Sequence, residues 1–195
     1  MKTEKMTVPY RIVLASNSPR RKELLAGLDL DFQVRVLKDV DESYPADLPT
    51  EQIAEFISHK KAEAYRETIA EDELVITADT VVILGSQVLG KPHDADDACR
   101  MLRQLSGKTH QVITGVTMTT RQRQESFSVR TDVTFKQLSE DEIAYYVEHF
   151  QPFDKAGAYG IQEWIGYIGV TGLNGSYFNV MGLPVQRIYE GLKRF

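Results

Sequence analysis

The sequence predicts an α/β domain built on a mixed sheet. Short apolar runs of strand length, such as Arg11 to Ala15 and Leu74 to Ala78, interleave with segments whose apolar residues recur at helical spacing. Alternating segments at Gln111 to Thr119 and Ser126 to Phe135 add strands of the hairpin kind. No internal repeat, low-complexity tract or linker interrupts the 195 residues, so residues 1–195 are expected to form a single domain.

Each element has a local reason. Arg11 to Ala15 suits a buried strand. The helix through Lys22 to Gly27 is bracketed by Ser18 at the N-cap, Pro19 at the first helical position and Gly27 at the C-terminal cap. Phe32 to Leu37 alternates as a second strand and leads into an acidic, turn-prone segment from Asp39 to Pro49. Thr50 is placed to cap a long helix carrying Ile53, Phe56, Ile57, Ala64 and Tyr65 on its apolar face. Leu74 to Ala78 forms a third strand ending at Asp79-Thr80, and Val81 to Leu89 forms a hairpin turning at Gly85-Ser86.

Asp94 starts a helix with Ala98, Met101, Leu102 and Leu105 on one face, stopped near Gly107. Ser139 caps Glu140 to His149, with Glu142 completing a capping box. Seven of the 13 glycines fall between Gly157 and Gly182, which points to close backbone packing or turns around strands. The last helix begins at Pro184.

Charge narrows the function classes. Lys and Arg total 23 against 28 acids, a net charge of −5, whereas binders of duplex nucleic acid or anionic membrane carry a basic excess. No basic–aromatic platform for single strands is present either. Cys99 is the one cysteine, so no internal disulfide forms and a reducing compartment is expected. Met1 to Lys5 is charged and precedes no apolar stretch of signal-peptide length, and no run approaches the roughly 18 residues that span a bilayer. A soluble, cytoplasmic protein is expected. Such a protein can still hold a small polyanion where its basic residues are focused.

Three constellations could carry chemistry. At Ser16-Asn17-Ser18-Pro19-Arg20-Arg21 a strand turns into a helix whose N-terminus offers unpaired N–H groups to an anion. Two arginines in a first turn oppose the helix dipole, a penalty that an incoming phosphate reverses; a solvated arginine pair is the alternative. Asp79-Thr80 follows an apolar run, where a carboxylate can hold a metal ion, activate water or simply cap a turn. Asp41-Glu42 is an acidic pair in an expected loop, of a kind that is most often solvated charge.

The third constellation is a set of lysines in restrictive settings. Lys91 lies between Gly90 and Pro92, and Lys155 sits among small residues in Asp154-Lys155-Ala156-Gly157-Ala158-Tyr159-Gly160. Lys60 and Lys61 interrupt an apolar helix, where periodicity puts Lys60 nearer the centre of the face and Lys61 at its edge; lysines so placed commonly snorkel. His59, His93, His110 and His149 show no ligand spacing, so no structural zinc is expected. Cys99 reads as a packing residue, and Trp164 and Tyr167 as packing residues rather than a base-stacking platform. There is neither a P-loop nor a dinucleotide fingerprint.

Several fragments recur in a set order. They are Ser16-x-Ser18-Pro19-Arg20-Arg21, Lys61-Ala62, Ala78-Asp79-Thr80-Val81-Val82, Gly90-Lys91-Pro92, Leu105-Ser106-Gly107 and Lys155-Ala156-Gly157-Ala158-Tyr159-Gly160-Ile161-Gln162. Asn174-Gly175-Ser176-Tyr177 and Gly182-Leu183-Pro184 close the series. Together they closely resemble the Maf-like nucleoside triphosphate pyrophosphatases, from about Ile12 to the C-terminal helix. The resemblance implies an inosine-triphosphate-pyrophosphatase-like fold, with an elongated mixed sheet, flanking helices and two lobes around a central cleft. It also implies a cytoplasmic homodimer that uses a divalent cation, magnesium or manganese, to cut a nucleoside triphosphate into monophosphate and pyrophosphate.

Residue by residue, Asp79 matches the family's proton acceptor, and Glu42 falls on the acidic position associated with metal binding, which Asp79 would share. Ser16, Arg21, Lys61, Lys91 and Lys155 match positions that hold phosphates or line the cleft. Arg20, Thr80 and Gln162 match the branch that prefers dTTP and UTP, and a glutamine amide can meet the imide edge of thymine or uracil. Modified pyrimidine nucleotides and CTP are the alternative substrates. One departure stands out: the family usually carries glycine after the glutamine, whereas here Gln162 precedes Glu163-Trp164 in a slightly lengthened loop. A change there bears on base recognition more than on hydrolysis. A non-catalytic nucleotide-binding regulator linked to cell division is the competing reading.

Overall fold

The computed structural model of the chain describes residues 7–195, so the charged start Met1 to Lys5 lies outside the described residues. In chain order the elements are β1 (Arg11–Leu14), α1 (Pro19–Ala26), β2 (Phe32–Val34), α2 (Ile53–Glu63), β3 (Glu73–Leu84), β4 (Gln87–Leu89) and α3 (Ala95–Leu105). There follow β5 (Thr109–Thr119), β6 (Gln124–Phe135), α4 (Glu140–Phe150), α5 (Trp164–Gly169), β7 (Val170–Asn174), α6 (Tyr177–Met181) and α7 (Val185–Leu192). The strands make a mixed sheet in the order β2-β1-β3-β5-β6-β7, with β4 paired to β3. β1 runs parallel to β2 and β3, while β4 is antiparallel to β3 and β7 to β6. The expected α/β class with a mixed sheet and flanking helices is what the chain adopts. No helix among the described residues is long and apolar enough to cross a membrane.

The chain divides into two compact units. One takes the residues up to Asp79 with Thr114–Ser128 and Gly182–Phe195; the other takes Thr80–Ile113 and Val129–Met181. In the first unit, Val13, Tyr65, Ile69 and Val75 pack together beneath β1 and β3. The second strand was expected to reach Leu37 but ends at Val34. The cause is Tyr65, whose buried hydroxyl donates to Arg35 O at 2.9 Å and accepts from Leu37 N at 2.9 Å, replacing a strand partner for those groups.

α2 differs from its expected form in two ways. Thr50 does not cap it; Thr50–Gln52 form a 3-10 turn, and α2 begins at Ile53. Its buried face is Ile53, Ala54, Ile57, Ser58 and Ala62, while Phe56 and Ala64 are exposed. That rotation of the stripe puts Lys61, one turn beyond Ile57, on the inward side and Lys60 outside it, the reverse of the expected order. Gly115 of β5 makes the seating possible: a Cβ there would lie 2.3 Å from the carbonyl of Ala54 and from Glu55 N. Hydroxyls complete it, with Ser58 Oγ 2.9 Å from Thr117 Oγ1 and Thr77 Oγ1 donating to Ser58 O at 2.7 Å.

The third strand does not end at Asp79-Thr80; β3 continues through both to Leu84. The hairpin beyond it turns at Gly85, whose φ of +61° needs no Cβ, and sets Val82 opposite Leu89.

The second unit packs α3, α4 and α5 against its strands around Leu102, Leu105, Phe135, Tyr146 and Ile165. Asp94 caps α3 by accepting from Asp97 N at 2.8 Å. The capping box of α4 is complete, Ser139 Oγ accepting from Glu142 N and Glu142 Oε2 from Ser139 N. The glycine-rich stretch holds more than turns: α5 and α6 flank β7 within it. Gly166 lies so close to Ile161 that a Cβ would sit 1.8 Å from its carbonyl oxygen. Trp164 packs against this core as expected, whereas Tyr167 is 82% exposed. Cys99 also packs at its margin, where burial raises the thiol's pKa and disfavours a thiolate.

His110 is buried in this unit, with Nε2 2.7 Å from the Tyr159 hydroxyl and the ring edge-on to Phe135 and Tyr159. Burial pushes its pKa from 6.5 down to about 4. The unfolded chain therefore binds the extra proton first, and stability from the neutral ring is full above about pH 6.5 and is lost as pH falls toward 4.

Two outcomes follow. Urea titrations of wild type at pH 7 and pH 4.5 should differ partly through this ring, by up to roughly 3 kcal/mol; His110→Phe should flatten that part of the slope, and an unchanged slope would refute it. Gly115→Ala should cost about 1–3 kcal/mol through overpacking against the α2 backbone, read by the same titration.

Candidate functional site

In the first unit, the turn from β1 to α1 is built by successive hydroxyl–amide bonds. Ser16 Oγ accepts from Ser18 N at 3.2 Å, and Ser18 Oγ caps α1 by accepting from Arg21 N at 3.4 Å. Ser16 is buried, so its hydroxyl shapes the turn that leads into the helix. Arg20 is half-buried. Arg21 turns inward: Nε donates to Gly182 O at 2.8 Å and Nη1 to Ala78 O at 2.8 Å. Burial lowers the pKa of this guanidinium, Asp79 opposes that, Arg20 adds to it and Glu42 opposes it again. The four side chains therefore share one electrostatic environment.

Lys61 is the centre of the cluster. Its Nζ donates to Asp79 Oδ1 at 2.8 Å and pairs with Glu42 Oε1 at 3.0 Å. Lys61 and Asp79 are each 15% exposed, whereas Glu42 is 58% exposed and arrives from the irregular segment before α2. The neighbouring pair holds that segment in place. Lys60 Nζ donates to Asp41 Oδ2 at 2.6 Å, to Ser43 O at 2.9 Å and to Ser43 Oγ at 2.9 Å. Asp41 Oδ1 also accepts from Ser43 N at 2.9 Å. Bonds from Lys60 and then from Ser43 lower the Asp41 pKa to about 2. Two adjacent lysines thus grip two adjacent acids, and Asp41-Glu42 is not merely solvated charge.

In the second unit, Thr80 is half-buried on β3 and Lys91 is exposed ahead of buried Pro92. Gly157 N donates to Gly90 O at 3.0 Å, joining the Lys91 segment to the Lys155 segment. Gly157 permits this with φ +70° and a Cα pressed against Val82, where a Cβ would find side-chain atoms at 3.0 Å. Lys155 is buried, with Nζ 2.7 Å from Asp154 Oδ1 and 3.1 Å from Glu163 Oε1. Gln162 Oε1 is buried and has no hydrogen-bond partner among the described residues. Tyr146 and Glu163 join this group unannounced by the sequence: Glu163 stood out only as a departure from the family pattern, and Tyr146 only as part of a capped helix.

For a divalent cation, the chemistry of the donors fits. Asp79 and Glu42 are hard oxygen ligands converging on one ammonium, and magnesium is commonly held by one or two carboxylates plus water and phosphate oxygens. No group of three or more His, Cys, Asp or Glu able to hold a metal occurs among the described residues.

Fold and site define a mixed α/β protein whose polar centre sets two carboxylates against lysine and arginine. The family model described as Maf-like protein matches residues 11–195. A "dTTP/UTP pyrophosphatase" of Bacteroides thetaiotaomicron is 60% identical over 185 residues, covering 95% of this chain and 96% of that one. Proteins of the same name from Parabacteroides distasonis and Flavobacterium psychrophilum are 56% and 49% identical, covering 95% and 92% of this chain and 96% and 91% of theirs. A solved structure, a HAM1 protein from Coxiella burnetii, aligns over 95% of this chain and all of its own at 13% identity and a TM-score of 0.49. The chain belongs to the Maf-like family, as the ordered fragments implied.

Lys60→Met and Asp41→Asn change the local charge in opposite directions. Both should nevertheless speed amide exchange over residues 41–43 by severalfold, because each breaks the same grip; opposite effects would show that charge alone matters there.

Proposed function

We propose that this chain hydrolyses nucleoside triphosphates, dTTP and UTP ahead of others, to the monophosphate and pyrophosphate. The observation that carries the reading is the convergence of Asp79 and Glu42 on Lys61 beside Arg21. Relatives named for this activity support it at up to 60% identity over nearly the full chain. Asp79 accepts a proton from water, and the water oxygen attacks the α-phosphorus in line with the bridge to the β-phosphate. The bridging P–O bond breaks, and pyrophosphate departs with its electron pair. Positive side chains answer the charge that develops, the main task of an enzyme in phosphoryl transfer.

The roles divide by placement. Lys61 orients Asp79 and offers a donor to phosphate, and Arg21 fixes the backbone at Ala78 next to the base. Ser16 and Arg20 face the anion from the turn into α1, while Lys91 and Lys155 hold phosphate oxygens. A magnesium or manganese ion held by Asp79 and Glu42 would supply Lewis-acid stabilisation of the phosphate oxygens. Thr80 and Gln162 serve the base. The Gln162 amide, whose buried Oε1 has no partner among the described residues, would accept from the N3–H of thymine or uracil on turning toward the base, a donor that neutral cytosine lacks at the same position. The family resemblance adds the expectation of a cytoplasmic homodimer to this reading.

Pyrophosphate release from a nucleotide panel with magnesium or manganese tests this. Wild type should favour dTTP and UTP with monophosphate as co-product, and Asp79→Asn should lose about 10²–10⁴ in kcat. Gln162→Ala should raise KM for dTTP and UTP about 5- to 100-fold while CTP moves little. Silence across the panel from folded protein would overturn the reading in favour of a nucleotide-binding regulator.

A further inference from the structure

The turn that presents Gln162 is pinned from within its own unit. Tyr146, on α4, is fully buried, and its hydroxyl makes two bonds at once. It donates to Glu163 Oε2 and accepts from Gly160 N, the latter at 3.0 Å. The other carboxylate oxygen of Glu163 accepts from Lys155 at 3.1 Å. Gly160 lies under both neighbouring side chains: a Cβ there would stand 2.9 Å from Glu163 Cδ and 3.2 Å from Gln162 Nε2. The amide of Gln162 therefore leans on a glycine whose own N–H is tied to Tyr146. Burial, reinforced by Glu163, raises the phenol's pKa, so the hydroxyl stays a donor at neutral pH.

We infer that Tyr146 and Glu163 are positioning residues for base selection, holding the 160–163 turn that presents the Gln162 amide to the imide edge of a pyrimidine. The inference rests on the proposed pyrimidine triphosphate hydrolysis and adds the device that gives Gln162 its direction. A carboxylate on Lys155 also alters the charge offered to the triphosphate. That effect is common to every nucleotide, because all carry the same phosphates. Displacement of Gln162 is different: it acts on the base alone, so the ratio of kcat/KM for UTP to that for CTP separates the two.

The test uses the full chain with Tyr146→Phe, which changes no charge, and Glu163→Gln, which removes one. Both variants should lower the UTP-to-CTP ratio at least about fivefold, and the double variant should fall little below the worse single one, since both act through one bond. A ratio unchanged in variants that keep the wild-type Tm overturns the inference and leaves the hydrolase reading intact. A wild type that hydrolyses both nucleotides equally overturns the assignment of Gln162 and the pinning role with it. Amide exchange at Gly160, read without nucleotide, should be at least about tenfold faster in Tyr146→Phe; unchanged protection overturns the pinning even where wild type hydrolyses nothing.

Discussion

The seating of α2 on the sheet is the constraint on which the first unit depends. Backbone meets backbone where Ala54 crosses Gly115; beside it the buried Ser58 and Thr117 hydroxyls bond each other and the Thr77 hydroxyl donates to the carbonyls of both residues. Such a contact has no slack, because neither side is a side chain that can change rotamer. Two turns further along the helix, that fixed position delivers Lys61 to Asp79. The ion pair at the centre of the site is thus a consequence of how closely a helix can approach a strand.

Under the proposed function, the cluster lets an acidic protein attract a polyanion. Net charge is −5, yet the lysines and arginines of the cluster are not diluted among the acids; two of the acids are recruited to orient them. Carboxylates that hold a lysine in a fixed direction can also offer oxygen to a divalent cation, so the same side chains can serve both signs of charge. Arg21 plays another part, spending two of its donors on carbonyl oxygens and stiffening the backbone beside Asp79.

Local chemistry in the sequence was a good guide where an element's cause is local. The caps at Ser18, Asp94 and Ser139 and the turn at Gly85 each stand where short-range rules place them. Legibility fails where the cause is distant. The early end of β2 depends on the Tyr65 hydroxyl, and the rotation of α2 depends on Gly115, neither of which is a neighbour in the chain. The five and six residues of α6 and α5 are too few to display a period. The ordered fragments picked out Asp79 and Lys61, and the family resemblance added Glu42; the three do meet. The fragments could not show that Arg21 faces inward, since one of its carbonyl partners is 161 positions away. Nor could they show the phenol behind Glu163, because a tyrosine in an amphipathic helix looks like any other core residue.

The paired grips at the end of α2 also limit how this part of the chain can vary in descent or by design. Asp41 and Glu42 are consecutive, as are Lys60 and Lys61, and each acid has its own lysine. One residue gained or lost between Asp39 and Ser43 would present each lysine with the wrong neighbour. The stretch from Tyr44 to Pro49 bears no such match and is mostly exposed. Length changes among functional relatives should therefore accumulate on the Pro49 side of the loop, and a tag or reporter inserted there would leave the acids in register.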